Sequence, residues 1–68
     1  MISENEREVL EFVRTKGIAR KSELGEKSSV ANSLKERGYL QRLVFGEEAF
    51  VITGSGSKAL FVAQQKSS

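Results

Sequence analysis

The apolar residues at the start of the chain recur at the spacing of an amphipathic helix. They are Val9, Leu10, Phe12 and Val13, and they follow a repeat of about 3.6 residues. Ser3 followed by Glu6 forms a capping box, in which each side chain accepts a hydrogen bond from the other residue's backbone N–H. The pattern predicts a first helix from about Glu4 to Lys16, ended by Gly17.

The middle of the chain predicts two further helices. One runs from Ser22 to about Lys27, and the other runs from about Ser29 to Arg37, where Gly38 stops it. The alternative is one uninterrupted helix over both segments, which Gly25 and the paired serines disfavour. Residues 18–19, before these helices, are predicted to form a short extended piece at an edge.

The third helix has an apolar side and a polar side. Val30, Ala31 and Leu34 form the apolar side, which leaves Ser29, Asn32, Ser33 and Lys35 pointing outward. Asparagine can pair bidentately with adenine, and serine and lysine can donate to phosphates, so this face is a candidate for reading DNA. The alternative interpretation is a polar face that meets only solvent.

The next segment predicts a β-hairpin. Tyr39 to Phe45 and Ala49 to Thr53 are rich in β-branched and aromatic residues, and they flank a Gly-Glu-Glu tip. A two-residue turn would set Leu43 opposite Phe50, and a three-residue loop would set Val44 opposite Phe50. Both registers stay open at this point.

The last helix is predicted from Ser57 to about Gln65, after a flexible joint at Gly54-Ser55-Gly56. Leu60 can pack on the core, while Phe61 lies about 100° around the helix. A phenylalanine left in water is unusual in a small domain, so Phe61, with Val62 or Gln65, is predicted at a two-fold homodimer contact. The alternative is a rotated helix with Phe61 inward.

The composition narrows the class of protein. The chain has 68 residues without cysteine or histidine, which excludes disulfides, thiolate or imidazole metal sites and catalytic triads built on these residues. No apolar run approaches the length of about 18 residues that spans a bilayer, and the N-terminus is acidic where a signal peptide would be basic. We therefore expect a single cytoplasmic domain with no cofactor.

Charge is distributed unevenly along the chain. Residues 1–13 carry a net charge of −3, residues 14–42 carry +5 and residues 43–68 are neutral, within a total of +2. A basic middle segment in a nearly neutral protein predicts an oriented patch for a polyanion. The alternative is a solvated surface of mixed charges.

Four segments carry a family resemblance: Ile18 to Leu24, Leu34 to Leu40, Phe50 to Thr53 and Lys58 to Leu60. Their order and spacing resemble those of small prokaryotic transcription regulators of the winged helix-turn-helix family. Ile18 to Leu24 resembles their first strand and the entry to their second helix, and Leu34 to Leu40 resembles the end of their recognition helix. Phe50 to Thr53 followed by Lys58 to Leu60 is similar to their second wing strand and the helix after it. The resemblance covers roughly residues 3–65 and implies an α+β fold, with a three-helix core, a two-stranded hairpin wing and a C-terminal helix.

The family resemblance implies sequence-dependent binding of double-stranded DNA for transcription regulation, with the third helix in the major groove. The expected DNA-binding residues are Arg20, Lys21, Lys27, Ser28, Ser29, Asn32, Ser33, Lys35 and Arg42. Where many relatives carry Arg or Lys at the wing tip, this chain has Gly46-Glu47-Glu48, so the wing is not expected to read DNA. The alternative function is a winged-helix module that docks another protein without binding DNA.

Two other kinds of site find little support in the sequence. Gly54 to Ala59 fits a dinucleotide-binding pattern, but the chain ends nine residues later, before the βαβ unit that such a site requires. Paired carboxylates such as Glu47 and Glu48 are explained by solvated faces, so an enzyme is not expected.

Overall fold

The computed structural model describes residues 2–66, with side-chain detail for residues 2–44 and 46–63. The chain forms an α+β domain in which helices pack on a three-stranded antiparallel sheet. In chain order the elements are α1 (Glu4–Lys16), β1 (Ala19–Arg20), α2 (Lys21–Leu24), a 3₁₀ turn (Gly25–Lys27), α3 (Ser28–Glu36), β2 (Leu40–Phe45), β3 (Glu47–Ile52) and α4 (Gly54–Lys66).

Helix α1 has the predicted bounds, and its capping box is present. The Ser3 N–H donates to Glu6 Oε1 at 2.8 Å, and the Glu6 N–H donates to Ser3 Oγ at 3.2 Å. At the other end Gly17 has φ of +82°, and its N–H donates to the Val13 carbonyl. These local contacts define both ends of the helix, which confirms its prediction from Glu4 to Lys16.

Helices α2 and α3 are separate, as the sequence favoured. The break lies at Gly25, whose φ of +56° and ψ of −122° are far from helical values. The predicted bounds were wrong by one to three residues. Helix α2 ends at Leu24 rather than at about Lys27, because Gly25–Lys27 form the 3₁₀ turn. Helix α2 begins at Lys21 rather than Ser22, because the Arg20 N–H donates to the Glu23 carboxylate and so caps the helix one residue earlier. Helix α3 spans Ser28–Glu36 instead of 29–37.

The predicted hairpin is present as β2 and β3, but the sheet has three strands rather than two. Strand β3 is central and pairs with β2 on one side and with β1 on the other. In the second pairing Ala19 lies opposite Phe50, and Arg20 lies opposite Ala49. The predicted edge piece therefore joins the sheet, shifted by one residue from positions 18–19 to 19–20.

The hairpin register differs from both predicted alternatives. Arg42 lies opposite Phe50, and only Gly46, with φ of +82°, lies between the two strands. Glu47 and Glu48 belong to β3 rather than to the turn, because both strands continue their pairing up to this glycine. The acidic pair consequently lies at the start of the central strand.

Helix α4 begins at Gly54, so the predicted flexible joint is instead the first helical turn. Thr53 caps it: its Oγ1 accepts the Gly56 N–H at 3.0 Å and donates to the Gly38 carbonyl at 2.7 Å. Gly56 is buried against the Tyr39 carbonyl, where a Cβ atom would lie only 2.1 Å from that oxygen. Glycine is needed here because helix and hairpin approach each other closely.

The hydrophobic core is formed by residues of α1, α2, α3 and α4 together with one face of the sheet. Its buried residues are Val9, Leu10, Val13, Ala19, Leu24, Ala31, Leu34, Leu40, Phe50 and Leu60. The apolar side of α3 is confirmed, since Ala31 and Leu34 are buried and Val30 packs against the core. One whole face of α3 is consequently left on the surface.

Candidate nucleic-acid interface

The outer face of α3 presents three polar residues that do little for the fold. Ser29, Asn32 and Ser33 are exposed, and their spacing of three and four residues aligns them on one side of the helix. Ser29 Oγ makes a long hydrogen bond of 3.4 Å to the Glu26 carbonyl. Within the described part of the chain, the side chains of Asn32 and Ser33 have no hydrogen bond, so their donors and acceptors are open to a ligand.

Two other residues complete the surroundings of this face. Ser28, the first residue of α3, is half-buried, so less of it is open to a partner. Glu36 is exposed one turn beyond Asn32, at the C-terminal end of the helix. The polar, uncharged part of the face thus lies in the first two turns of α3.

The predicted basic residues do not form one uninterrupted cationic surface. Lys21 and Arg42 both pair with Glu48, at 3.7 and 3.3 Å, and Lys27 pairs with Glu8 of α1. Of the five predicted cations, the structure brings Lys21 and Arg42 together around one carboxylate.

The remaining two predicted cations are Arg20, before α2, and Lys35, within α3. Arg20 is exposed, while Lys35 is half-buried near the end of its helix. Among the described residues, Lys35 has no carboxylate partner within 4.0 Å. No described carboxylate therefore competes with a phosphate for its ammonium group.

The acidic helix α1 neutralises part of the basic middle segment. Glu6 accepts a hydrogen bond of 2.6 Å from Arg37, in addition to the pair between Glu8 and Lys27. The Ser3 N–H and Arg37 together hold the pKa of Glu6 below its usual value, and Lys27 lowers the pKa of Glu8 in the same way. The partners lie 31 and 19 residues apart in sequence, so no local pattern indicates these pairs.

A surface groove lies between α1 and α4, and none of the predicted DNA-binding residues lines it. Its volume is about 770 Å³, and its lining includes Ile2, Tyr39, Ala59, Val62 and Ala63. No local pattern in the sequence indicates this groove, because it joins the two ends of the chain with Tyr39, just before β2.

The surface of α4 also carries two large apolar side chains. The exposed fractions of Phe61 and Val62 are 59% and 46%. The prediction that Phe61 lies outward is therefore confirmed, and the alternative of a rotated helix with Phe61 inward is wrong. The side chain of Gln65, the third predicted dimer contact, lies outside the described residues.

No family model, curated protein or solved structure matches the chain. Among the described residues, no group of three or more potential ligand residues is placed to hold a metal ion. Within the same part of the chain, no helix combines the length and the apolar character needed to cross a membrane. The case for a function therefore depends on the chain's own side chains.

Proposed function

We propose that the chain is a winged helix-turn-helix domain that binds double-stranded DNA in a sequence-dependent manner as a transcription regulator. In this proposal α2 and α3 are the helix-turn-helix, β2 and β3 are the wing, and α3 enters the major groove. The observation that carries the proposal is the outer face of α3, where Asn32 and Ser33 are exposed and have no hydrogen-bond partner among the described residues.

The chemistry of this face suits base edges. The Asn32 amide has one acceptor and two donor hydrogens, and it can bond to N6 and N7 of adenine at once. Serine hydroxyls can donate to a base or to a phosphate and accept in return. Because the apolar side of α3 packs on the core, its polar side faces outward. The helix can therefore place the asparagine and serine side chains along the major groove together.

Nearby cations can supply the attraction to phosphate. Lys35 has no carboxylate partner among the described residues and lies on α3 itself. Lys21 and Arg42 are more than 40% exposed, and an exposed ion pair stabilises the protein by only about 0.2–1 kcal/mol. Such cations can exchange a carboxylate for a phosphate at small cost. Overall attraction to DNA is expected to be moderate, because the chain's net charge is +2.

The test is a titration of labelled duplex in about 50 mM salt, where nonspecific binding should reach the micromolar range. Selection from a random duplex pool first gives a preferred site. Asn32→Ala should then cost about 1–3 kcal/mol on that site and little on random DNA. Lys35→Ala should weaken binding to both and flatten the salt dependence by about one unit.

Matched controls lie elsewhere on the surface. Asn5→Ala removes an exposed asparagine from α1, and Lys58→Ala removes an exposed lysine from α4, so both should leave DNA binding unchanged. No binding to any duplex at this salt, with the protein folded, would contradict the proposal.

The second candidate function is docking of another protein without DNA binding. It is favoured by the ion pairs of Lys21, Lys27 and Arg42, which reduce the free positive charge available to a polyanion. If the folded protein does not bind duplex in the titration, protein docking becomes the favoured function.

A homodimer through α4 is a separate proposal and is compatible with either function. Its support is the exposure of Phe61 and Val62 on one helix, because apolar side chains clustered in water mark contact surfaces. A two-fold dimer would place the same helix of both copies in one interface.

A further inference from the structure

One carboxylate in the structure lies between two cations that come from different elements. Glu48, in β3, approaches Lys21 Nζ at 3.7 Å through Oε2 and Arg42 Nη1 at 3.3 Å through Oε1. Lys21 begins α2, and Arg42 lies in the neighbouring strand β2. The Glu48 side chain remains 38% exposed, so the position is reached from solvent.

We propose that Lys21 and Arg42 form a binding site for a DNA backbone phosphate, and that Glu48 occupies this site in the free protein. This inference rests on the proposed function and adds to it an internal competitor of the DNA. A carboxylate and a phosphate both present negatively charged oxygens, and an arginine guanidinium binds either with the same donors. The position that Glu48 fills is thus one that a phosphate oxygen can take.

The contacts of Glu48 are suited to displacement. Both its distances are longer than the 2.7–2.9 Å of strong charge-assisted hydrogen bonds, and all three side chains are exposed to solvent. The residue opposite Glu48 in the sheet, Val44, is itself exposed, so the carboxylate can turn toward water without meeting a packed neighbour. The Arg37–Glu6 pair, at 2.6 Å, is tighter and is reinforced by the capping box.

The neighbouring glutamate provides a matched control. Glu47 accepts a hydrogen bond of 3.0 Å from the Ser22 hydroxyl and has no cation partner within 4.0 Å among the described residues. It is adjacent in sequence, carries the same charge and also joins the wing to α2. A Glu47→Gln variant therefore removes one negative charge from the same strand without releasing Lys21 or Arg42.

The experiment compares the wild-type chain, Glu48→Gln and Glu47→Gln in titrations with labelled random-sequence duplex at several salt concentrations. Glu48→Gln should bind about two- to tenfold more tightly, the size expected when exposed ion pairs no longer compete. Its salt dependence should be steeper by about one unit, since one more phosphate contact releases its counterion. Glu47→Gln should change affinity less than Glu48→Gln and leave the slope as in the wild type.

A second set of variants tests whether the released cations are responsible. Adding Lys21→Ala and Arg42→Ala to Glu48→Gln should return affinity and salt slope to the wild-type values or below. Circular dichroism checks that each variant is folded, which we expect because Lys21 and Arg42 are exposed and Glu48 is only half-buried.

The outcomes separate the inference from the proposed function. The inference is overturned if Glu48→Gln binds duplex no more tightly than the wild type, or if Glu47→Gln gains as much affinity as Glu48→Gln. In either case the proposed function still holds as long as the wild type binds duplex. If neither the wild type nor Glu48→Gln binds duplex, both are overturned.

Discussion

Replacement of Gly56 by alanine should destabilise the domain, although alanine is the better helix former. An ideal Cβ at this position would lie 2.1 Å from the Tyr39 carbonyl oxygen and 3.0 Å from Cγ1 of Ile52. The Tyr39 carbonyl cannot simply withdraw, because it accepts the Thr53 N–H at 3.1 Å and thereby joins the two ends of the hairpin. Helix α4 would therefore have to move away from the sheet.

The expected loss of stability is the difference between two destabilising effects and one stabilising effect. Overpacking of this kind costs about 1–3 kcal/mol, and loss of the Thr53 hydrogen bond would add about 1 kcal/mol. The gain in helix propensity from glycine to alanine returns only about 0.5–1 kcal/mol. The free energy of unfolding should therefore fall by about 1–3 kcal/mol, and the Tm by about 5–20 °C for a domain of this size.

Thermal and urea unfolding followed by circular dichroism measure the effect, with Gly54→Ala as the control. Gly54 lies in the same first turn of α4, and an added Cβ there meets nothing within 4 Å, so that variant should be as stable as the wild type or more so. A Gly56→Ala protein as stable as Gly54→Ala would refute the close contact between α4 and Tyr39.

Two further predictions concern acid stability and assembly. The pKa values of Glu6, Glu8 and Glu23 are lowered in the folded chain, by backbone and ion-pair hydrogen bonds, so their stabilisation is present above about pH 4.5 and is lost as the pH falls further. The Tm should accordingly fall on acidification below about pH 4.5, and a constant Tm down to pH 3 would contradict this. Phe61→Glu should abolish a homodimer that the wild type forms at high micromolar concentration, and sedimentation of the wild type as a monomer there would exclude the α4 contact.

The elements that could be predicted from sequence are those defined by neighbouring residues. The capping box of Ser3 and Glu6 determines the start of α1 through contacts three residues apart, and Gly25 separates α2 from α3 through its own backbone angles. The polar face of α3 follows from helical spacing alone, since Ala31 and Leu34 must turn toward the core. Local chemistry is sufficient for each of these features.

The features that could not be predicted depend on residues far apart in the chain. Glu47 and Glu48 have the composition of a turn, and only the pairing of β2 with β3 reveals them as strand residues. The extended piece at residues 18–19 was predicted, but its pairing was not, because the strand partners of Ala19 and Arg20 in β3 lie some 30 residues later. For the same reason, the distribution of charge along the sequence did not predict its distribution on the surface, since Glu8 pairs with Lys27 only in the folded chain.

The most direct test of α3 as the DNA-reading element is a nuclear magnetic resonance titration of isotope-labelled protein with the selected duplex. We expect the largest shift changes at the backbone and side-chain amides of Asn32 and at Ser29 and Ser33, with smaller changes at Lys21, Arg42 and Lys35. Residues lining the groove between α1 and α4 should change little, because none of them is among the predicted DNA-binding residues. Changes confined to that groove, with the amides of α3 unaffected at saturating duplex, would contradict the account.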